Sequence, residues 1–155
     1  MTDRNSLAQV PIAELIDTLE HADMFDLKNL DTVATQMIGK RMKDFYSYIS
    51  YNEEYLSKVA LRQMIEILDS PEKIDCSELI LFQIAKAWIA RHSPRKEQCE
   101  KVLACIRYAY IPKNKRQKLM DEESLLKDHL SILTQAFQKA YDRDGPAFRS
   151  VEFDA

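Results

Sequence analysis

Apolar residues recur at intervals of about three or four positions along most of this chain, which is the period of one helix face. The clearest such face lies in the segment 76–89 and consists of Leu81, Phe82, Ala85, Trp88 and Ile89. Ser77 precedes it as a helix N-cap, and Glu78 follows in the first turn, where the helix dipole favours an acid. The pattern predicts a helix over 77–92 that carries the single tryptophan of the chain.

The same period predicts helices over most of the remaining chain. We expect helices near residues 11–23, 27–42, 43–50, 52–58, 60–69, 77–92, 94–108, 113–120 and 122–141. Because the connections are short, consecutive helices should pack as antiparallel hairpins. The predicted fold class is therefore all-α, a bundle of about eight short helices. No repeat with a period of about 34 or 40 residues is present, which argues against a regular solenoid.

Glycine and proline usage agrees with this interpretation. The chain has 2 glycines, which leaves little material for β-hairpin turns. Pro11 stands at the start of the first periodic run, and the pairs Ser70-Pro71 and Ser93-Pro94 each place a cap residue before proline. We therefore expect helices to begin at these points.

Several short stretches occur in an order and at spacings that are known from one family. They are Ala22-Asp23 followed by Leu27, Leu30, Ala34 and Ile38; Glu53-Glu54-Tyr55-Leu56; Leu61 to Ser70; and Ile106-Arg107-Tyr108. With the tryptophan helix, they resemble the BACK domain, the all-helical region that follows the BTB domain in Kelch-like and related proteins. The run 61–70 is similar to the family's Leu-x-Gln-Leu-Leu-x-Leu-Leu-Ser-Ser.

The resemblance implies a set of core residues and a partner surface. The core signature consists of Tyr55, Leu61, Met64, Leu68, Phe82, Trp88 and Ile106. In BTB–BACK adaptors the first helical hairpin lies against the BTB domain and helps to form a groove for the cullin N-terminal segment. The residues that this assigns to partner binding are Ile12, Leu15, Ile16, Leu19, Met24 and Phe25. The alternative is that all six belong to the core of the domain itself.

The resemblance also implies a division of the chain. We expect an N-terminal extension over 1–9, a BACK-like helical domain over 10–141, and a linker or flexible tail over 142–155. Two departures from the family pattern are Ala109, where proline is usual, and Lys58, which looks like a one-residue insertion. Since no BTB domain precedes the helical part, we expect the chain to be a piece of a larger protein.

Charge and cysteine usage narrow the function classes. A formal net charge of −3 argues against a general nucleic-acid binder. The 3 cysteines have no framework or zinc-site spacing, which predicts an intracellular protein, cytoplasmic or nuclear, without a metal. No apolar run is long enough to span a membrane. We also find no catalytic motif and no phosphate-binding glycine loop, so we expect neither an enzyme nor a cofactor.

Two further clusters each have a functional and a structural interpretation. The basic residues Arg107, Lys113, Lys115, Arg116 and Lys118 could contact phosphates, or they could form a solvated helix face. The aromatic residues Phe45, Tyr46, Tyr48, Tyr51 and Tyr55 suit an interface, or they could pack the joint between two hairpins.

Taken together, the resemblance implies a non-catalytic spacer and docking module in a BTB–BACK substrate adaptor of a cullin-RING ubiquitin ligase. Its partners would be a cullin scaffold and the BTB domain of the parent protein, with a substrate protein bound through another domain and a homodimer possible. One alternative is a cullin-independent dimerisation or transcription-regulator scaffold. Others are a small helical nucleic-acid binder that uses the basic cluster and an enzyme of unrecognised type.

Overall fold

A computed structural model describes residues 10–69 and 77–122. Every regular element in these two ranges is helical, which confirms the all-α prediction. The α-helices are α1 (Ile12–Met24), α2 (Lys28–Gly39), α3 (Met42–Tyr51), α4 (Leu61–Leu68), α5 (Glu78–His92), α6 (Lys96–Leu103) and α7 (Lys113–Glu122). Two 3-10 helices, Glu53–Lys58 and Tyr108–Tyr110, complete the described elements.

The fold is organised around the hairpin of α1 and α2, which make the most extensive helix pairing of the described chain. Their connection, residues 25–27, is short. Within it, Asp26 adopts a left-handed backbone conformation with a φ of 54°, which helps the chain to turn from α1 into α2. The Glu53–Lys58 helix then lies against α1, α3 and α5, while α4 lies against α2 and α6. The hairpin is thus held by elements that come later in the chain.

One continuous apolar core joins these elements, from Ile12 at the start of α1 to Ile111. Its largest fully buried side chains are Trp88, Tyr108, Phe45 and Phe82. The rings of Phe82 and Tyr108 meet edge to face with centroids 6.4 Å apart. Since burying one side chain of this size contributes roughly 1.5–3 kcal/mol, the core can hold the short helices together.

The predicted helix starts are partly right. Ser77 does cap α5, because its side chain accepts a hydrogen bond of 3.2 Å from the backbone N–H of Ile80. The prediction for Ser93 is wrong. Ser93 is the C-cap of α5, with a left-handed φ of 46°, and the next helix begins at Lys96.

The predicted extent of the following helix is also wrong. The run 94–108 was expected to be one helix, but α6 ends at Leu103 and the Tyr108–Tyr110 helix begins after a turn. The Tyr108 hydroxyl donates a 2.9 Å hydrogen bond to the Leu103 carbonyl, which holds this turn closed. The predicted cap at Ser70-Pro71, the helix over 122–141 beyond Glu122, the extension 1–9 and the tail 142–155 lie outside the described residues.

Candidate docking surface

The six residues assigned to partner binding divide into two groups. Ile12, Leu15, Ile16 and Leu19 are buried in the core of the domain. Met24 and Phe25, at the end of α1, are mostly exposed, with 62% of Phe25 accessible. A partner could therefore reach Met24 and Phe25 in this conformation, whereas the other four residues stabilise the hairpin from inside.

Exposed large apolar side chains are concentrated beside these two residues. The described chain exposes six of them, and five lie within residues 24–33. We call these five the exposed apolar surface: Met24, Phe25, Leu27, Leu30 and Val33. Soluble domains seldom leave several neighbouring large apolar side chains uncovered without a binding role. The end of the α1–α2 hairpin is thus the best candidate for an interface.

Helix α2 has an unusual distribution of side chains over its N-terminal half. Leu30 and Val33 are 42% and 50% exposed, while Asp31 is only 4% exposed. A surface helix normally turns its apolar residues inward and its charged residues outward. In the C-terminal half, where Ile38 is buried, α2 follows that rule.

The buried Asp31 is held by side chains of α4. One carboxylate oxygen, Oδ1, accepts a hydrogen bond of 2.6 Å from Nε2 of Gln63. The same Gln63 nitrogen donates to the backbone carbonyl of Leu19 at 2.9 Å, and Oε1 accepts from the backbone N–H of Ala60 at 3.0 Å. Gln63 therefore joins α1, α2 and the start of α4 through one fully buried amide.

The other carboxylate oxygen of Asp31, Oδ2, accepts a hydrogen bond from Arg62, whose side chain is exposed to solvent. Arg62 also reaches Oδ1 of Asp23 at 3.5 Å and Oε1 of Glu66 at 3.4 Å. The hydrogen bond to Asp31 and these carboxylates raise the pKa of Arg62, against the opposing effect of burial. We call Asp31, Arg62 and Gln63 the polar clamp of α2.

An open cleft of about 260 Å³ lies between α2 and α4 beside the polar clamp. Its lining residues are Ala22, Asp26, Leu27, Lys28, Asp31, Thr32, Arg62 and Glu66. Carboxylates and cations are mixed in this lining, which fits a bridged groove between two helices better than a pocket for an apolar ligand.

The core signature residues lie in or against the core. Met64, Leu68, Phe82, Trp88 and Ile106 are buried, while Tyr55 and Leu61 are half-buried and pack against the same cluster. Trp88 stacks on His92 with ring centroids 4.1 Å apart, and Nε2 of His92 lies 2.8 Å from the Leu56 carbonyl oxygen. His92 is thus part of the packing around the tryptophan.

The aromatic stretch of α3 and the following helix is divided between core and surface. Phe45 is buried, and Tyr48 and Tyr55 are half-buried with their rings edge to face at 5.1 Å. Lys58 lies over the Tyr55 ring and bonds Oδ1 of Asp17 at 2.6 Å, which raises the pKa of Lys58. These contacts join the Glu53–Lys58 helix to α1. Tyr51, by contrast, is 89% exposed.

Arg107, the first residue of the basic cluster, takes part in the fold through its backbone. Tyr108 beside it is buried, and the backbone N–H of Arg107 donates a 2.9 Å hydrogen bond to Oε1 of the buried Glu78. Lys113 and Lys118 are exposed on α7. This arrangement explains the Ile106-Arg107-Tyr108 motif as a structural joint between α5 and the chain that follows α6.

Residues 10–69 and 77–122 contain no group of three or more histidine, cysteine, aspartate or glutamate side chains placed to hold a metal ion. Cys99 is buried, which raises the pKa of its thiol. Within the same ranges, no helix has the length and apolar character needed to cross a membrane.

Sequence reasoning missed Asp31 and the role of Gln63. Gln63 stands inside the apolar run 61–68 and faces the same side as Met64 and Ile67, which are buried. A glutamine on an apolar face is a signal that a buried polar partner exists. Nothing local, however, indicates that the partner is Asp31, because that residue lies 32 positions earlier.

Comparison with known families agrees with the fold and with the motifs. The family model described as "BACK: BTB And C-terminal Kelch" matches residues 15–121, which is well over half of the chain. No curated protein and no solved structure matches the chain. On the strength of the family match and the helical architecture, the chain belongs to the BACK family.

Proposed function

We propose that this BACK domain is a non-catalytic docking and spacer module of a BTB–BACK substrate adaptor for a cullin-RING ubiquitin ligase. The observation that carries the proposal is the concentration of exposed large apolar side chains at the end of the α1–α2 hairpin. In the adaptors that the chain resembles, this hairpin meets the BTB domain and the cullin. The exposed apolar surface supplies a contact of the required character at that place.

The rest of the domain suits a spacer. The continuous core from Ile12 to Ile111 joins all the described helices except α7, from which Leu119 packs against it. A rigid spacer matters in such an assembly because it fixes the distance between a bound substrate and the group transferred to it. The substrate protein itself would bind through another domain of the same adaptor.

Binding to the cullin and BTB domain should depend on Phe25 and Leu30. We expect the substitutions Phe25→Glu and Leu30→Glu, made in the full-length protein, to lower cullin recovery in co-precipitation by about tenfold or more. Both side chains are exposed, so circular dichroism of the 155-residue chain should show unchanged helicity. Tyr51→Glu is the matched control, because Tyr51 is the remaining exposed large apolar residue of the described chain.

The outcomes separate this proposal from its main competitor. If both variants fold and recover cullin as well as the parent protein does, the cullin role is contradicted. If the parent protein recovers no cullin but the 155-residue chain self-associates through Phe25 and Leu30, the surface serves a cullin-independent dimerisation scaffold. Sedimentation of the chain and of the two variants distinguishes these cases.

A further inference from the structure

We propose that the polar clamp of α2, made by Asp31, Arg62 and Gln63, is a positioning device that sets the rotation of α2 and thereby presents Leu30 and Val33 outward. This inference rests on the proposed function only where it treats the exposed apolar surface as the surface that binds the partner. Asp31, Arg62 and Gln63 would be positioning residues, since they would act on Leu30 and Val33 only through the orientation of α2.

The sequence of α2 is compatible with two rotations of the helix about its axis. Successive residues of an α-helix are separated by about 100° around its axis, so a roll of roughly that size exchanges Leu30 for Asp31 at the inner face. Apolar burial at Leu30 and Val33 favours the rolled helix, although the same roll would turn the buried Ile38 outward. The observed helix has the opposite arrangement, with Asp31 buried and Leu30 and Val33 exposed.

The buried polar groups of the polar clamp are completely paired. Both carboxylate oxygens of Asp31 accept hydrogen bonds, from Gln63 and from Arg62. The Gln63 amide is engaged at its oxygen by Ala60 and at its nitrogen by Leu19 and Asp31. Rolling α2 would break the bonds to Asp31 and leave a buried amide N–H of Gln63 unpaired, which is strongly unfavourable. A fully paired buried network can thus specify one orientation against a more apolar alternative.

Arg62 links the polar clamp to both helices of the hairpin. Its guanidinium contacts Asp31 of α2 and also Asp23 near the end of α1. On its own helix it contacts Glu66. The cleft between α2 and α4 is open beside these groups, and the Arg62 and Gln63 side chains bridge the two helices there. Removing the cation leaves the Asp31 carboxylate buried without its counter-charge.

The experiment measures exposure of the Leu30 and Val33 methyl groups in the 155-residue chain by NMR, with a soluble paramagnetic agent that broadens accessible signals. We expect Asp31→Leu and Arg62→Met to reduce the paramagnetic effect at Leu30 by about twofold or more, because the population shifts toward the rolled helix. Arg62→Lys, which keeps the cation, should retain most of the exposure. The methyl group of Met24 is the internal control, since it lies on α1 and should be unaffected.

Two results would overturn the proposal. One is a folded Arg62→Met variant with unchanged exposure of Leu30 and Val33, which would mean that Ala34 and Ile38 set the helix rotation by packing alone. The other is equal loss of exposure in Arg62→Lys and Arg62→Met, which would exclude the charge as the cause. Arg62 is exposed on its outer side, so these variants remain informative even if Asp31→Leu does not fold.

Cullin co-precipitation with the full-length Arg62→Met variant keeps the two proposals separate. If Leu30 turns inward in Arg62→Met and cullin recovery by the full-length variant also falls, both proposals are supported. If Leu30 turns inward and recovery is unchanged, the positioning device stands and the proposed docking role of the exposed apolar surface fails.

Discussion

The indole nitrogen of Trp88 donates a hydrogen bond of 2.8 Å to the backbone carbonyl of Val59, at a site where both residues are buried. Val59 follows the Glu53–Lys58 helix directly and adopts extended backbone. The bond therefore anchors the connection that leads into α4 to the C-terminal part of α5. It also satisfies the polar end of a large side chain that would otherwise be costly to bury.

Replacing Trp88 should test both parts of this contact. We expect Trp88→Ala to lower the free energy of unfolding by about 3–5 kcal/mol, because a large cavity remains. Trp88→Phe fills much of that space but leaves the Val59 carbonyl without this donor, so a loss of about 1–3 kcal/mol is expected. Urea unfolding followed by circular dichroism measures both values. An emission maximum of the native tryptophan as long in wavelength as that of the unfolded chain would contradict its burial.

Two substitutions in the first hairpin should have opposite outcomes. Leu19 is fully buried, whereas Phe25 is mostly exposed. Leu19→Asp places an unpaired charge in the core and should cost more than about 4 kcal/mol, a large part of a typical domain's stability. Phe25→Asp should change stability by about 0.5 kcal/mol or less. Thermal unfolding compares the two, and a native-like Leu19→Asp variant would show that Leu19 is not a core residue.

The hairpin also illustrates what a sequence can predict. The apolar period of α1 correctly identifies an amphipathic helix, because that pattern depends on the helix alone. The period cannot distinguish a face buried in its own domain from one buried by a partner. That distinction depends on the Glu53–Lys58 helix, which lies against α1 from far along the chain.

Local signals succeeded at one serine and failed at another. Ser77 was recognisable as a cap because its bond is to Ile80, three residues on. Ser93 looked like a similar cap, but it ends α5 with a left-handed backbone conformation. The clamp between Asp31 and α4 was invisible in the sequence, since charged residues are usually exposed and the pairing appears only in the folded chain.

The hydroxyl of Tyr48 should titrate late. Its hydrogen bond with Tyr55, followed by burial, raises the pKa of Tyr48 to about 12. An unfolded tyrosine has a pKa of about 10, so this group's contribution to stability is complete below about pH 10 and is lost as pH rises toward about 12. Spectrophotometric titration at alkaline pH should show this late step, and Tyr55→Phe should move it to lower pH.

The control for that titration is Tyr51→Phe, because the exposed Tyr51 ring lies outside the Tyr48–Tyr55 contact. It should leave the late step of Tyr48 unchanged. Tyr108 also has a raised pKa, caused by burial, so Tyr48→Phe is needed to assign the step. A titration curve that is identical in the parent chain and in Tyr48→Phe would contradict the assignment.

Glu78 should stabilise the joint between α5 and the chain after α6. Its side chain is buried in the first turn of α5, where the dipole favours a negative charge, and it accepts a hydrogen bond from the Arg107 backbone N–H. Glu78→Ala removes this acceptor and should cost about 1–3 kcal/mol. Glu78→Gln keeps a side-chain oxygen and loses the charge, so a smaller cost is expected.

Glu97 provides the matched comparison, because it also lies in a first helical turn, that of α6, but is exposed. Glu97→Ala should therefore change the free energy of unfolding by about 0.5 kcal/mol or less. Hydrogen exchange adds a local measurement: the Arg107 amide should exchange faster in Glu78→Ala than in Glu78→Gln, since only the first loses the oxygen acceptor. Equal exchange rates at Arg107 in the two variants and the parent chain would mean that the joint is held by the packing of Ile106 and Tyr108 without help from Glu78.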